Sequence, residues 1–341
     1  METSDAPPES ELLGRARAGD AEAFERLAAA YRRELTAHCY RMLGSPHDAE
    51  DALQESLLAA WRSLGGFEGR SSLRTWLYRI ATHVCLRMSA RRPRRVLSPD
   101  HGPPRRDTAD LGEPVTGPVW LEALPGELPE SGADPAERYL RREGVELAFV
   151  AALQHLPAFQ RAVLILREVL EYPAAEVAGI LGSTPAAVNS ALQRARKAVA
   201  ERVPPVSQAD ELAALGAAGR GELVAAFVTA WERADVDAIL ALLADDVRFT
   251  MPPLPAWFDG RDDVARFLSE RVFATAWRLL PVTANGQLAF ACYQERDGRF
   301  RLSALDVLML RDGKIAEMTG FLDPAVLALF GVPEDWSPPE R

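Results

Sequence analysis

Apolar positions recur at near-helical spacing early in the chain, at Phe24, Leu27, Tyr31, Leu35 and Met42, which predicts a helix over about 21–43. Ser45-Pro46-His47-Asp48 then offers an N-cap hydroxyl, a proline at the first helical position and an acid in the first turn. The helix it opens carries Leu53, Leu57, Trp61 and Leu64 before Gly65-Gly66 stops it. A third helix starts at Ser71-Ser72 and runs to about Arg92, with Leu73, Trp76, Leu77, Ile80 and Val84 on one stripe. Three amphipathic helices so close together predict a small all-α domain over 10–95.

The pattern breaks at 93–136, where eight prolines from Pro99 to Pro135 and five glycines interrupt any periodicity, so 96–137 is expected to be a flexible linker. Helical spacing returns over 138–155, 159–170, 174–181 and 185–202, giving a second all-α domain at 138–203. Pro204-Pro205 ends it. Behind the break the period changes. Residues 222–243 read as a long helix and 262–273 as a shorter one. Residues 247–251, 278–284, 288–295, 301–310 and 314–321 read as strands, the last two joined by an Asp312-Gly313 hairpin turn. Helices followed by an antiparallel meander predict an α+β domain over 219–332.

At 341 residues the chain has room for these domains. Cys39, Cys85 and Cys292 are scattered, which fits a reducing compartment and neither a disulfide framework nor a zinc site. No metal and no cofactor is expected. No apolar run approaches the ~18–20 residues of a bilayer span, and the acidic, proline-containing N-terminus argues against a secretory signal. A cytoplasmic protein with no membrane partner is expected. The net charge of −10 argues at first against nucleic acid, but the acidity is uneven: residues 1–95 carry +2, 96–209 carry −4 and 210–341 carry −8. Local patches matter more for binding than the total.

Two constellations follow from those patches. Residues 46–64 begin with Asp48, Glu50, Asp51 and Glu55 and hold no base before Arg62, whereas 74–95 hold Arg74, Arg79, Arg87, Arg91, Arg92, Arg94 and Arg95 and no acid. Seven uncompensated cations suit phosphates, and Trp76, Tyr78 and His83 among them suit unpaired bases. The plain alternative is a solvated basic face with Trp76 in the core. The second constellation is a helix-turn-helix: 173–181, a Gly182-Ser183-Thr184 turn, and a helix opened by Thr184 and Pro185. Val188, Leu192 and Val199 face inward, with Ala174, Ala175, Val177, Ala178, Ile180 and Leu181 of the first helix. Asn189, Ser190, Gln193, Arg194, Arg196 and Lys197 are left outside, short donors for base edges first and cations for phosphate after them. The plain alternative here is a helical hairpin.

Taken together, "DAEDALQESLLAAWRSL" (48–64), "FEGRSSLRTWLYRIATHVCLRM" (67–88) and "LQHLPAFQRAVLILREVLEYPAAEVAGILGSTPAAVNSALQRARKAV" (153–199) resemble the extracytoplasmic-function sigma factors of bacterial RNA polymerase, over roughly 10–203. The resemblance implies an acidic helix that docks on the β′ clamp of core polymerase through Asp48, Asp51, Gln54 and Glu55, Leu53 and Leu57 being internal. It implies a minus-ten segment in which the loop 65–71, with Arg70 and Ser71, traps a flipped base. Arg74, Thr75, Trp76, Arg79, His83 and Arg87 would hold the opened strand. Region 4, docking on the β flap, would read the minus-thirty-five element through Thr184, Asn189, Ser190, Gln193, Arg194, Arg196 and Lys197. The family often has a basic residue where Asn189 and Ala191 stand, so this helix is poorer in charge.

Residues 222–268 resemble the opening of SnoaL-like domains, which have the nuclear-transport-factor-two-like cone. The resemblance implies a pocket for a small-molecule ligand lined by Met251, Trp257, Phe258, Phe267, Trp277 and Phe321, with Asp306 facing it. Some relatives of that fold use such an acid as a general base, but no second acid or base pairs with Asp306 in the sequence, and fold alone transfers no chemistry. The expected function is a non-enzymatic promoter-specificity factor with a regulatory C-terminal domain. The other readings are a SnoaL-type isomerase or cyclase fused to DNA-binding helices, which has no need of the acidic helix, and a helix-turn-helix repressor, which leaves 67–88 without a purpose.

Overall fold

Three of the first four helices begin where a side-chain oxygen replaces a missing backbone partner. In a computed structural model that describes residues 8–126 and 145–336, α1 spans Glu9–Arg17, α2 Ala21–Leu43, α3 Pro46–Ser63 and α4 Leu73–Ser89. Asp20 caps α2, Ser45 caps α3 and Ser72 caps α4, accepting from Ala23, Asp48 and Thr75 respectively. Gly44, at φ 74°, ends α2 in the left-handed conformation that a residue without Cβ adopts freely. The predicted stripes are largely the core: Leu27, Leu35, Leu53, Leu64, Leu73, Leu77 and Val84 are buried. Each such burial is worth about 1.5–3 kcal/mol. Phe24 is half-buried and packs on the ring of Trp61, centroids 5.2 Å apart.

Four further helices follow: α5 Leu147–Gln154, α6 Ala158–Leu164, α7 Ala174–Leu181 and α8 Pro185–Ala200, with a π-helical turn at Ile165–Val169 between α6 and α7. Of the helix expected over 138–155, residues 138–144 lie outside the described residues. The chain divides into two compact units. One joins Met1–Arg94 to Ala152–Glu201, so that α6 and α7 pack on α2 and α4.

The other unit joins Arg95–Ala151 to Arg202–Arg341. Its sheet has the order β2-β1-β6-β5-β4-β3, with β1 Leu243–Thr250, β2 Trp257–Asp259, β3 Trp277–Ala284, β4 Gln287–Arg296, β5 Arg299–Arg311 and β6 Lys314–Phe321. All neighbours are antiparallel except β1 and β6. Helices α9 (Gln208–Glu232), α10 (Val236–Leu242), α11 (Arg261–Glu270) and α12 (Pro324–Ala328) complete it. The long helix predicted over 222–243 is two: α9 stops before Ala234, at φ 54°, and Asp235 caps α10. By length and composition α9 could cross a membrane, against the expectation that no run approached that length. Within this unit Gly216 (φ 65°, ψ 178°) interrupts it, and Leu223, Phe227 and Trp231 are core residues.

The flexible linker expected over 96–137 is corrected over 96–126; 127–137 lie outside the described residues. Residues 95–126 form a strap folded into the second unit. Val96 exchanges backbone hydrogen bonds with Val119 and Leu121 at 2.9 Å, and Arg95 reaches Trp120 O at 2.8 Å and Glu122 at 2.6 Å. The strap then ties to the C-terminal domain. Ser98 donates to Leu254 O (2.9 Å), Val115 N to Pro253 O (2.9 Å) and Arg105 N to Trp257 O (2.8 Å), while Thr108 bonds Glu270 (2.5 Å). Val96, Leu97, Trp120, Leu121 and Ala123 are buried. Prolines and glycines remove local periodicity, but partners more than a hundred residues away satisfy this backbone.

Candidate nucleic-acid and polymerase interface

The seven cations read as uncompensated are largely paired once the helices pack. Arg74 meets Glu34 of α2 through two nitrogens at 2.9 Å and lies over the rings of Tyr78 (4.9 Å) and Tyr172 (5.9 Å). Arg87 bonds Glu55 of α3 at 2.6 Å. Arg92 pairs with Asp48 and stands 3.9 Å from Asp51. Charge compensation acts through space, across helices that sequence order keeps apart.

A groove of about 240 Å³ remains between α3 and α4, lined by Trp76, Arg79, His83 and Arg87 of the expected minus-ten set, with Ala59, Ser63, Ile80 and Val84. Arg79 and Arg87 are exposed there and Trp76 is half-buried, its ring 5.1 Å from Phe67. Arg70 and Ser71 are exposed in the loop before α4, Arg70 pairing with Glu68 at 3.0 Å. Thr75 faces its own N-cap, its hydroxyl 2.9 Å from that of Ser72. His83 does not present both nitrogens to solvent: Nε2 lies 2.8 Å from the carbonyl oxygen of Ile180.

On α3 the acids separate. Asp48 is 6% exposed and held by Arg92, so it stabilises the helix junction and offers no docking surface, a correction to the sequence expectation. Asp51, Gln54 and Glu55 are exposed. Leu53 is buried as expected, Leu57 is half-buried, and Leu58, unmarked by sequence reasoning, is 56% exposed. Its signal was available: positions 51, 54, 55 and 58 share one helical face.

The helix-turn-helix has the predicted local chemistry. Gly182 adopts φ 62°, ψ 40°, and Thr184 accepts from Ala187 N at 3.2 Å with Pro185 next in line. Val188, Leu192 and Val199 are buried, while Thr184, Asn189, Ser190, Gln193, Arg194, Arg196 and Lys197 are all exposed. Ala175, expected inside, is exposed, because Val177, Ala178 and Ile180 carry the inward face of α7. Arg194 bonds Ser190 at 2.7 Å, and Arg196 bonds Glu168 at 2.6 Å.

In the C-terminal domain Met251, Phe258 and Phe267 belong to one core cluster, and Phe258 and Phe267 stack with centroids 4.4 Å apart. Trp257 gives its indole N–H to Gly102 O of the strap (2.8 Å), and Trp277 gives its own to Val272 O (2.7 Å). Asp306 pairs with Phe290 across β4 and β5, is 3% exposed and sits where a Cβ on Gly320 would come within 2.9 Å of its Oδ1. Burial pushes its carboxyl up to about 6, with Cys292 partly offsetting that. Phe321 pairs with Leu305, one residue from Asp306, so strand alternation turns it to the opposite face and away from any pocket beside Asp306.

Family models match the chain as Sigma-70 region 2 over 27–95, Sigma-70 region 4 over 146–199 and a SnoaL-like domain over 224–318. Over 307 residues it is 42% identical to the ECF RNA polymerase sigma factor SigG of Mycobacterium tuberculosis, covering 89% of this chain and 82% of that one. It is 27% identical to SigJ of the same organism, over 86% of this chain and 90% of that one. The crystal structure of SigJ shares the fold, with a TM-score of 0.60 at 24% identity, covering 89% of this chain and 98% of that one. The chain belongs to the ECF sigma factors, non-enzymatic subunits that bind core RNA polymerase and direct promoter recognition in transcription initiation, and it carries a SnoaL-like domain behind region 4.

Proposed function

We propose that the exposed edge of α3, Asp51, Gln54 and Glu55 around Leu58, docks on the β′ clamp of core polymerase, while region 4 engages the β flap. The observation that carries this reading is Leu58 itself, a large apolar side chain 56% exposed beside the exposed Asp51, Gln54 and Glu55. An apolar anchor with a charged rim is the usual composition of an interface hot spot. The groove between α3 and α4 takes the unpaired minus-ten strand, Arg79 and Arg87 meeting its phosphates and Trp76 its bases. Asn189, Ser190 and Gln193 read base edges of the minus-thirty-five duplex, with Arg194, Arg196 and Lys197 on its phosphates. The setting of this work is the cytoplasm. Leu58→Glu tests the docking surface: association with core polymerase should fall at least tenfold in a pull-down titration. Unchanged association removes the surface.

The C-terminal domain acts as regulator by holding the strap between regions 2 and 4. Gly112 has φ 73°, and a Cβ there would lie 2.9 Å from Pro255 Cγ, so Gly112→Val wedges the strap from the domain. Run-off transcription should rise at limiting sigma factor with promoter choice unchanged. Equal output from both chains removes the regulatory role.

A further inference from the structure

The Sigma-70 region 2 match begins at residue 27, and α1 lies ahead of it. A helix of nine residues is marginal by itself in water, so its order must come from what it packs on. Both of its ends are tied to α2. At the C-terminal end Arg15 gives Nε and Nη2 to Asp20 Oδ2, at 2.9 and 2.7 Å. The other oxygen of that carboxylate caps α2 through Ala23 N at 3.0 Å. Gly19, at φ 96°, makes the reversal between the helices. At the N-terminal end of α1, Tyr31 Oη donates to Glu9 Oε2 at 2.6 Å. From Ala21 to Tyr31 α2 rises about 15 Å, and α1 is about 13 Å long. The two therefore lie side by side over the whole of α1.

The face of α1 turned inward carries Leu12 and Ala16, both buried and four apart on one stripe. Beyond α2, this helix packs on the turn Leu64–Gly66, where Leu64 is buried and Gly65 and Gly66 are exposed. The start of α2 supports the same place, Phe24 setting its ring 5.2 Å from that of Trp61, just ahead of the turn on α3. The turn opens the loop 65–71. The other side of the loop is fixed separately, by Phe67 buried against Trp76 and by Ser72 capping α4. Glu68, Gly69, Arg70 and Ser71 between them are exposed. A loop that traps an extruded base must hold its shape before the base arrives, since unstacking is itself unfavourable. We propose that α1 is a positioning element for this loop and that buried Leu12 is the residue through which it acts. It fixes the Leu64–Gly66 end and so sets the width of the pocket that selects the flipped minus-ten base. This rests on the assignment of 65–71 to that base.

The experiment uses the full chain on core polymerase. Its probes are single-stranded minus-ten oligonucleotides, intact or with an abasic site at each position in turn, followed by fluorescence anisotropy. The wild type should lose most affinity at one abasic position. Leu12→Ala should shrink that loss about tenfold, because the pocket no longer fits the base. The slope of log affinity against log salt should stay as in the wild type, because the arginines that meet phosphates are untouched. Leu12→Met, which nearly keeps the volume, should restore the preference. Thermal melting verifies folding. Tyr31→Phe combined with Arg15→Gln loosens α1 from outside the core, and should shrink the loss about threefold even if Leu12→Ala does not fold. Equal weakening on intact and abasic strands, or a preference unchanged in every folded variant, overturns the positioning role. A wild type indifferent to every abasic site removes the loop assignment itself, and the role of α1 with it.

Discussion

Helices α4 and α8 are both basic and both assigned to DNA, yet they carry their charge in opposite ways. On α8 the polar and cationic face stands exposed, and the cross-helix ion pair of Arg196 with Glu168 is on the surface. On α4 and its tail, Arg74, Arg87 and Arg92 are matched by Glu34, Glu55 and Asp48 from neighbouring helices. A helix that reads a closed duplex can show its charges at all times. One that takes a strand only after melting keeps several of them engaged, and each exchange of a carboxylate for a phosphate then costs less than exposing a bare cation.

The comparison can be broken or sharpened by changing one charge at a time. The largest effect is expected where a charge has no opposite partner at all. Asp306 holds its proton to about 6 because it is buried, so the folded domain binds that proton more tightly than the unfolded chain does. Stability is therefore greatest at low pH and falls as pH rises through 6. The gap from an ordinary 3.8 is worth up to about 3 kcal/mol. Asp306→Asn should raise the melting temperature at pH 8 and flatten the profile between about pH 4 and 7; a profile that keeps its slope would dissociate it from this carboxyl.

Next comes base reading on α8. Asn189→Ala should cost about 1–3 kcal/mol on the recognised minus-thirty-five sequence and little on random duplex. Arg194→Ala should weaken both alike and lower the slope of log affinity against log salt by about one. Equal losses from the two changes would mean that α8 grips without reading. On α4, Glu34→Gln should cost about 1–2 kcal/mol of stability, since it removes a largely buried charge-assisted pair. Arg74, released from Glu34 but still over the rings of Tyr78 and Tyr172, should tighten single-strand binding; looser binding would assign Arg74 to scaffolding alone. The smallest effect belongs to Glu55→Gln, whose partner Arg87 is as exposed as itself at 54%. Denaturant titration should find at most ~0.5 kcal/mol.

Local chemistry was legible in the sequence where it is local. Ser45, Thr184 and Pro185 start helices as their positions predict, and Lys314–Phe321 is the strand read over 314–321. The Asp312-Gly313 turn has φ of 53° and 71°; Asn285-Gly286 and Asp297-Gly298 make the same turn unremarked. What stayed hidden depends on contacts distant in sequence. The missed strand β2 is three residues long and exists through its pairing with β1. The strap reads as punctuation because its partners lie at 251–270, and the pairing of the α4 arginines needs α2 and α3 in place. On α8, whose proposed role needs only its own surface, the outward residues could be named from spacing alone.

The division of the chain has a consequence for engineering. The second unit takes its residues from both sides of region 4, so in chain terms region 4 is an insertion into the body that carries the SnoaL-like domain. Deleting everything after residue 205 would not give a minimal sigma factor. It would strip the cover from Val96, Leu97, Trp120, Leu121 and Ala123, leaving a sticky apolar ribbon in the middle of the remaining polypeptide and inviting aggregation.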